Sequence, residues 1–427
     1  MAHANAAHAT PDFQPPHRLS VHYAGILEHL GLIRVGGPDA ELFLQGQLSN
    51  DVFGLRPHAQ ERSTDAADHH TGVAQWTGYC TPKGRLICTG WLVRMDTPVP
   101  GVPANASSES APYYLLLVDR GLLEVVLRRL RMFVLRAKVH LEDLSQTFQM
   151  MGSLRFLPPG KETASSDRQH TDLLSEAGSS GLKLEHRAVG PSIWVGLPPA
   201  VLPSGNRLER HLLIEAKEAM QLMNVQDTPE ATAPLTALWH WTHHLAAEPW
   251  VGCSASERFV PQMVNFERIG GVNFRKGCYP GQEVVARSQY LGKLKRRMAL
   301  FAWPDPYSAP PVAGNDLGEE AANPELTVVS SARRPTSHAA RNPAHSRDEV
   351  SAEERPRGAP MDSQAGPPAG SQEEAANALD PFVSLWRLAY PDAGAPPAAL
   401  ILAEGRSDHV PGTLTQQLAL PYRLSDS

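Results

Sequence analysis

The chain has 427 residues, a length that divides into two or three packed units with ample material for a core. Its 42% hydrophobic and 20% charged residues describe a soluble globular protein, while 38 prolines imply long irregular segments. A net charge of -6 excludes a protein built mainly to coat nucleic acid or an anionic membrane, though it leaves room for a local basic patch.

The four cysteines, Cys80, Cys88, Cys253 and Cys278, contain no C-x-x-C pair. A disulfide framework is therefore not expected, nor is a complete zinc or iron-sulfur site built from this chain alone. The opening MAHANAAHATPDFQPPHRLS lacks the charged start and apolar centre of a secretory signal, and no stretch approaches the length of a membrane span. A reducing, cytoplasmic setting is the expectation.

Residues 1–18 are rich in Ala, His and Pro and read as disordered. A strand over Leu32–Val35 and a Gly-Gly-Pro turn follow, then a helix starting near Pro38 or Asp39 with Leu42, Phe43 and Leu44 as its apolar part. The polar run LQGQLSND, closing on Asn50 and Asp51, reads by itself as a capped helix terminus. Residues 58–72 read as a polar insertion between core elements. VAQWTGYC and LICTGWLVRM flank the turn TPKGR as in a hairpin.

Residues 96–112 read as a loop and YYLLLVD as a buried strand. GLLEVVLRRLRMFVLRAKV places Leu123, Val126, Leu127 and Leu130 on one helical face, with arginines opposite that read as a solvated face rather than an RNA patch. Between Phe148 and Pro199 short apolar runs alternate with a polar linker, and LERHLLIEAKEAMQLM is predicted to be an amphipathic helix. ALWHWTHHLAAEPWV carries Trp239, Trp241 and Trp250 with His240, His243 and His244. His240 and His244 share a helical face, but two histidines without a third ligand do not make a metal site, and none is expected.

The stretch VNFRKGCYPGQEVVARSQYLGKL, Val272 to Leu294, concentrates mixed chemistry. Cations around Cys278 favour its thiolate, and Gly277 and Gly281 let a ligand approach the backbone. Pro280 before Gly281 makes KGCYPG a loop; in a following helix Glu283 and Arg287 would pair on one face, with Val284, Val285 and Leu291 as anchors. Two readings stand on the residues alone: a reactive-thiol site, or a structural turn with a small cysteine and a routine ion pair.

Beyond it, GKLKRRMALFAW enters a strand of a new unit, its basic residues Lys293, Lys295, Arg296 and Arg297 reading as a solvated edge or an anion contact. Residues 304 to about 380 read as a disordered insertion broken by the strand ELTVVSSA. FVSLWRLAY, AALILAEG and TLTQQLALPYRL read as three further strands of a small β barrel.

KGCYPGQEVVAR resembles the K-G-C-Y-x-G-Q-E signature of the YgfZ family, folate-binding proteins related to the T-protein (aminomethyltransferase) of the glycine cleavage system. GPDAELFLQGQLSNDV is similar to that family's first landmark, and FVPQMVN, with Pro261, Gln262 and Asn265, to its F-I-P-Q-x-x-N segment. The resemblance implies an α+β chain in a T-protein-like three-domain arrangement around a central folate cavity. Its parts would be a disordered terminus to residue 18, a first domain over 19–145, a second over 146–292 ending in the motif, and a C-terminal barrel domain over 293–427.

It further implies tetrahydrofolate or a derivative as cofactor and iron-sulfur proteins or their assembly factors as partners. The motif residues would be Lys276, Gly277, Cys278, Tyr279, Gly281, Gln282 and Glu283, with Cys278 the reactive thiol. Trp239, Lys276, Tyr279, Glu283 and Arg287 would contact folate, although core packing is an equal reading of Trp239. A monomer with no membrane and no direct nucleic-acid contact is expected, supporting tRNA modification indirectly. Two departures weigh against an aminomethyltransferase: Ile87 and Cys88 stand where the T-protein carries acidic residues, and Leu245 where the family's I-E-A-G pattern has its glutamate, with Glu248 displaced. The remaining alternatives are a folate enzyme of that type and a direct tRNA-binding module.

Overall fold

The structure, a computed structural model, describes residues 22–55, 59–62, 68–96, 112–157, 192–218, 229–292, 294–317, 326–335, 381–405 and 416–422. From the N-terminus, β1 (His22–Ile26) leads into β2 (Leu30–Gly36) and α1 (Ala40–Gln45), followed by β3 (Ala59–Arg62), β4 (Asp68–Val73), β5 (Gln75–Cys80) and β6 (Leu86–Met95). Next come β7 (Tyr113–Asp119), α2 (Leu123–Phe133), β8 (His140–Asp143), β9 (Phe148–Leu157), β10 (Ser192–Gly196), β11 (Ala200–Val201) and β12 (Arg207–Ala216). The rest comprises α3 (Pro229–Leu245), α4 (Gln282–Tyr290), β13 (Arg297–Trp303), β14 (Asp316–Leu317), β15 (Leu326–Arg333), α5 (Pro381–Ala389), β16 (Ala399–Gly405) and β17 (Gln416–Leu418).

Period-two alternation sorts one sheet, of order β5-β6-β7-β2-β8, between two cores. Tyr113, Leu115 and Leu117 of β7 face the main core beside Leu32 and Trp91, whereas Tyr114, Leu116 and Val118 face a second core with Ile33, Val35 and Leu92. Burial on both faces explains why YYLLLVD is apolar at every position except its last. Helix α2 closes the second core with Leu123, Val126, Leu127 and Leu130, the face expected from spacing. Each such burial is worth about 1.5–3 kcal/mol.

The seven-stranded sheet runs β1-β9-β12-β10-β4-β3, with β11 also on β12. It draws strands from both sides of residue 145, and its pairs are antiparallel except β10 with β4. Two expectations fail here. The predicted helix in LERHLLIEA is β12: Leu208, Leu212 and Ile214, two or four apart, enter the core, while β9 and β10 take up its backbone hydrogen bonds. The helix-forming Glu, Lys and Ala at the end of that stretch mislead a reading by propensity. Within the supposed insertion at 58–72, the described residues form β3 and most of β4, paired antiparallel at the sheet edge.

A third sheet has the order β14-β15-β16-β13-β17 and is antiparallel throughout. FVSLWRLAY is not a strand but α5, because Phe382, Leu385, Trp386 and Ala389 recur at helical spacing and are buried together. Helix α5 packs on α3 through Trp241, whose ring lies 5.3 Å from Phe382. Helix α3 also touches β1, β15 and β16, so one core runs from Leu30 through Trp239 to Met298 and Leu400. Helices beside predominantly antiparallel sheets make the chain α+β, as expected. The expectations for residues 1–18, 97–111, 158–191 and 336–380 lie outside the described residues.

Candidate functional site

Helix α4 begins at Gly281, whose φ is 80°, and a Cβ there would stand 2.3 Å from the Thr81 carbonyl oxygen and 2.5 Å from the Gly84 nitrogen. Only glycine meets both demands. The loop Lys276–Gly281 is thereby pressed against the β5–β6 turn. Val285 is buried and Val284, 37% exposed, packs its side chain against Gly84 of that turn, whereas Leu291, the third expected anchor, faces solvent. Leu42 on α1 does the same. Arg287 Nη2 meets Glu283 Oε1 at 3.0 Å across one helical turn, as the spacing predicts. Both side chains are exposed, which limits the pair to about 0.3–0.5 kcal/mol.

Lys276 leaves this loop and donates through Nζ to three main-chain carbonyls, Gln45 and Leu48 at 2.6 Å and Asn50 at 3.0 Å. Burial draws its pKa down to about 8, with Asp51 pulling the other way. Ser49 Oγ donates to Gly271 O at 2.6 Å, Asn50 Nδ2 to Gly270 O at 2.8 Å, and Asn273 N to Ser49 O at 2.9 Å. Gln45 holds Asp51 and the Val52 N–H through its amide. Gln262 Nε2 donates to Val285 O and Asn265 Nδ2 to Met298 O. The polar run Gln45–Val52, far away in sequence, thus joins the neighbouring runs Pro261–Asn265 and Lys276–Glu283 in one junction.

At the tip of that junction Gly277 and Cys278 are exposed. Tyr279 is buried under the Lys276 ammonium, 5.3 Å from its ring centroid, and burial raises its phenol pKa. Lys276 and Tyr279 thus form one contact in the loop, while Glu283 and Arg287 form a separate exposed pair on α4. Trp239 does not join them: it is fully buried, with Gly152 beneath its ring, inside an aromatic cluster. The His243 ring in this cluster stacks on Trp91 at 5.5 Å, with Trp76, Trp239 and Trp250 within about 6 Å. Trp76 continues the cluster to Phe266, which packs under Gly271 and so reaches the junction. Arg296 and Arg297 are engaged by Glu404 and Glu267, bracing the third sheet.

A buried ion pair with an imidazole beside it lies against the same cluster. Arg210 donates to both Glu248 oxygens, Nη2 to Oε1 at 2.7 Å, and to Pro198 O at 2.8 Å. His243 Nδ1 meets Glu248 Oε2 at 2.8 Å. Burial alone would raise the Glu248 pKa, but Arg210 and His243 outweigh it and hold the carboxylate ionised, whereas burial lowers that of His243. In the sequence Glu248 stands only as a displaced carboxylate and Arg210 belongs to no motif; the inward alternation of Leu208, Arg210 and Leu212 is the signal that marks it. His240 and His244 do not form a ligand pair: His244 Nδ1 donates to the His240 carbonyl at 2.7 Å and its Nε2 faces Ser330 Oγ at 3.1 Å.

Comparison with known proteins finds relatives of two kinds. A scan of protein-family models finds no match. The chain is 27% identical over 288 residues to the tRNA-modifying protein YgfZ of Vibrio vulnificus (strain CMCP6), covering 67% of this chain and 71% of the relative. It is 28% identical over 298 residues to the YgfZ of Klebsiella pneumoniae (strain 342), covering 68% and 74%. The chain is a homologue of the YgfZ proteins. A second kind of relative is the mitochondrial iron-sulfur cluster assembly factor IBA57 homolog of Mycosarcoma maydis, 24% identical over 293 residues, 68% of this chain and 59% of that one. Among solved structures, the glycine cleavage system aminomethyltransferase T from Bartonella henselae aligns over 73% of this chain and 74% of its own, with a TM-score of 0.43 and 13% identity. In this YgfZ homologue Ile87 and Cys88 lie wholly in the core, and burial pushes the Cys88 thiol up to about 12.

Proposed function

We propose that this chain is a tetrahydrofolate-binding accessory protein in the assembly or repair of iron-sulfur clusters, and that it supports tRNA modification through iron-sulfur enzymes. The observation that carries the reading is the convergence of a distant polar run, Gln45–Val52, and the run Pro261–Asn265 on a loop that exposes the thiol of Cys278. A junction braced by Lys276, Ser49, Asn50 and Gln262 is rigid where it holds the thiol and open where a partner must reach it. In this reading residues 19–145 supply the receiving run, 146–292 supply the loop, and 293–427 lock it through β13. The cluster is cargo, met by Cys278 in a transient thiolate contact.

The folate part rests on the aromatic cluster. Trp91 Nε1, Trp239 Nε1 and His243 Nε2 are buried without a hydrogen-bond partner among the described residues. Flat apolar faces edged by unmet polar atoms suit a pterin ring, which is itself flat with a polar rim. In this reading Lys276, Tyr279, Glu283 and Arg287 would contact folate at the thiol loop, and Trp239 would take part from the cluster that reaches the junction through Trp76 and Phe266.

A glycine-cleavage aminomethyltransferase is the weaker reading, because neither Ile87 nor Cys88 can manage a proton at a folate amine. Two measurements test the proposal. In a strain lacking the gene, Cys278→Ala should fold but fail to restore iron-sulfur-dependent tRNA modification; full rescue removes the role of the thiol. Tetrahydrofolate should quench tryptophan fluorescence in the wild type and not in Trp239→Leu, and an unchanged titration in both removes the cofactor.

A further inference from the structure

The C-terminal end of α2 presents an unusual surface. From Arg128 to His140 the sequence RRLRMFVLRAKVH carries five Lys or Arg residues and no carboxylate, in a chain whose net charge is -6. Arg129 turns inward to the Tyr79 phenol, while Arg128, Arg131, Arg136 and Lys138 are exposed. Large apolar side chains stand among them: Met132 is 62% exposed and Leu135 85%. Exposed Lys and Arg are ordinary; adjacent exposed Leu and Met signal a contact.

Beside this end lies a cleft of about 520 Å³, between α2, β2 and β8. Arg34, Arg131 and His140 supply its polar wall and Val134, Val139 and Leu141 its apolar one, with Glu142 salt-bridged to Arg34 at 3.5 Å. The volume falls within the range of ligand pockets, about 300–1,000 Å³. The surface therefore offers guanidinium groups suited to carboxylates alongside apolar sockets and knobs.

We propose that this surface docks an acidic amphipathic segment of a partner protein, its carboxylates meeting Arg128, Arg131 and Arg136 and its apolar residues packing on Met132 and Leu135. A second copy of this chain fits poorly, since a two-fold contact would set these cations against themselves. Nucleic acid would use the arginines but has no need of Leu135 or Met132. The inference goes beyond the cluster-assembly reading and holds whether or not Cys278 serves it. It gains purpose from α1. At one end of that helix Asp39 Oδ2 accepts from the Lys138 N–H at 2.7 Å, and at the other Gln45 O accepts from Lys276. A helix of this length spans about 9 Å, which sets the docking surface one short helix from the loop of Cys278.

The test is fluorescence anisotropy on the full chain, with a labelled peptide of glutamate and leucine at helical spacing as probe and bulk tRNA as competitor. Wild type should bind the peptide, and Arg128→Glu/Arg136→Glu and Met132→Ser/Leu135→Ser should each weaken it about tenfold or more. Arg207→Glu, an exposed arginine on β12, should leave binding unchanged. Circular dichroism melts verify folding; if the double charge variant fails to fold, Arg136→Glu alone replaces it with the same expected direction. Undiminished binding by the serine variant, displacement by tRNA that depends on arginines alone, or no peptide binding at low salt would each overturn the proposal.

Discussion

Lys276 reaches from the motif loop to the carbonyls of Gln45, Leu48 and Asn50, so its charge is committed to holding the junction together. Lys276→Met should cost about 2–3 kcal/mol, because three acceptors lose an ionised donor at once, and urea unfolding measures it. Lys276→Arg should recover little of this, since a planar guanidinium cannot replace a compact ammonium among three converging carbonyls. Gly281→Ala should lower stability by about 1–3 kcal/mol for the left-handed backbone alone, with the approach of Thr81 O adding to it. A thermal melt within a degree of wild type would contradict both the conformation and the contact. These residues were legible in the sequence because KGCYPGQE mixes glycine, cation, amide and thiol in one short run. What could not be read was the direction of Lys276, which the sequence places beside Cys278 and the fold turns away toward another segment.

Strand β12 and helix α3 are joined by Arg210, Glu248 and His243 in the interior. Breaking a buried pair by removing one partner leaves the other charge uncompensated, so Arg210→Met and Glu248→Leu should each cost about 3–5 kcal/mol. The double variant should cost much less than their sum, and a double-mutant cycle by chemical denaturation reads the difference. The same region sets the acid response. His29 titrates near 3 and His244 near 4 in the folded chain, against an ordinary 6.5, both through burial first. Between those values the unfolded chain binds more protons, so the stability these histidines supply is full above about pH 6.5 and lost as pH falls. Each removes about 1.4 kcal/mol per pH unit in its window, and a urea midpoint that stays flat from pH 7 to 5 would refute it. Elements with one clear period, such as β7 and α2, were readable in advance. LERHLLIEA and FVSLWRLAY were not, because short apolar runs satisfy both periods and tertiary pairing decides between them.

Across the whole molecule, one polar brace of the third sheet is Arg297, whose Nη1 meets Asn265 Oδ1 at 3.0 Å and Glu267 Oε1 at 2.7 Å. Arg297→Met should destabilise the chain by about 2–4 kcal/mol and raise amide exchange in β13 and β16 before the other sheets. Uniform exchange across all three would deny that the sheet is held there. Strand β1 pairs with β9 across residue 145, a long-range partnership that no local pattern in the sequence reveals. That pairing also reaches into synthesis. Ile26 lies opposite Met151, about 125 residues later, so at about 5–20 residues per second a ribosome leaves β1 without its neighbour for about 6–25 s. Strand β1 therefore waits unpaired while β2 to β8 are made, which makes the nascent chain a natural client for chaperones during that interval.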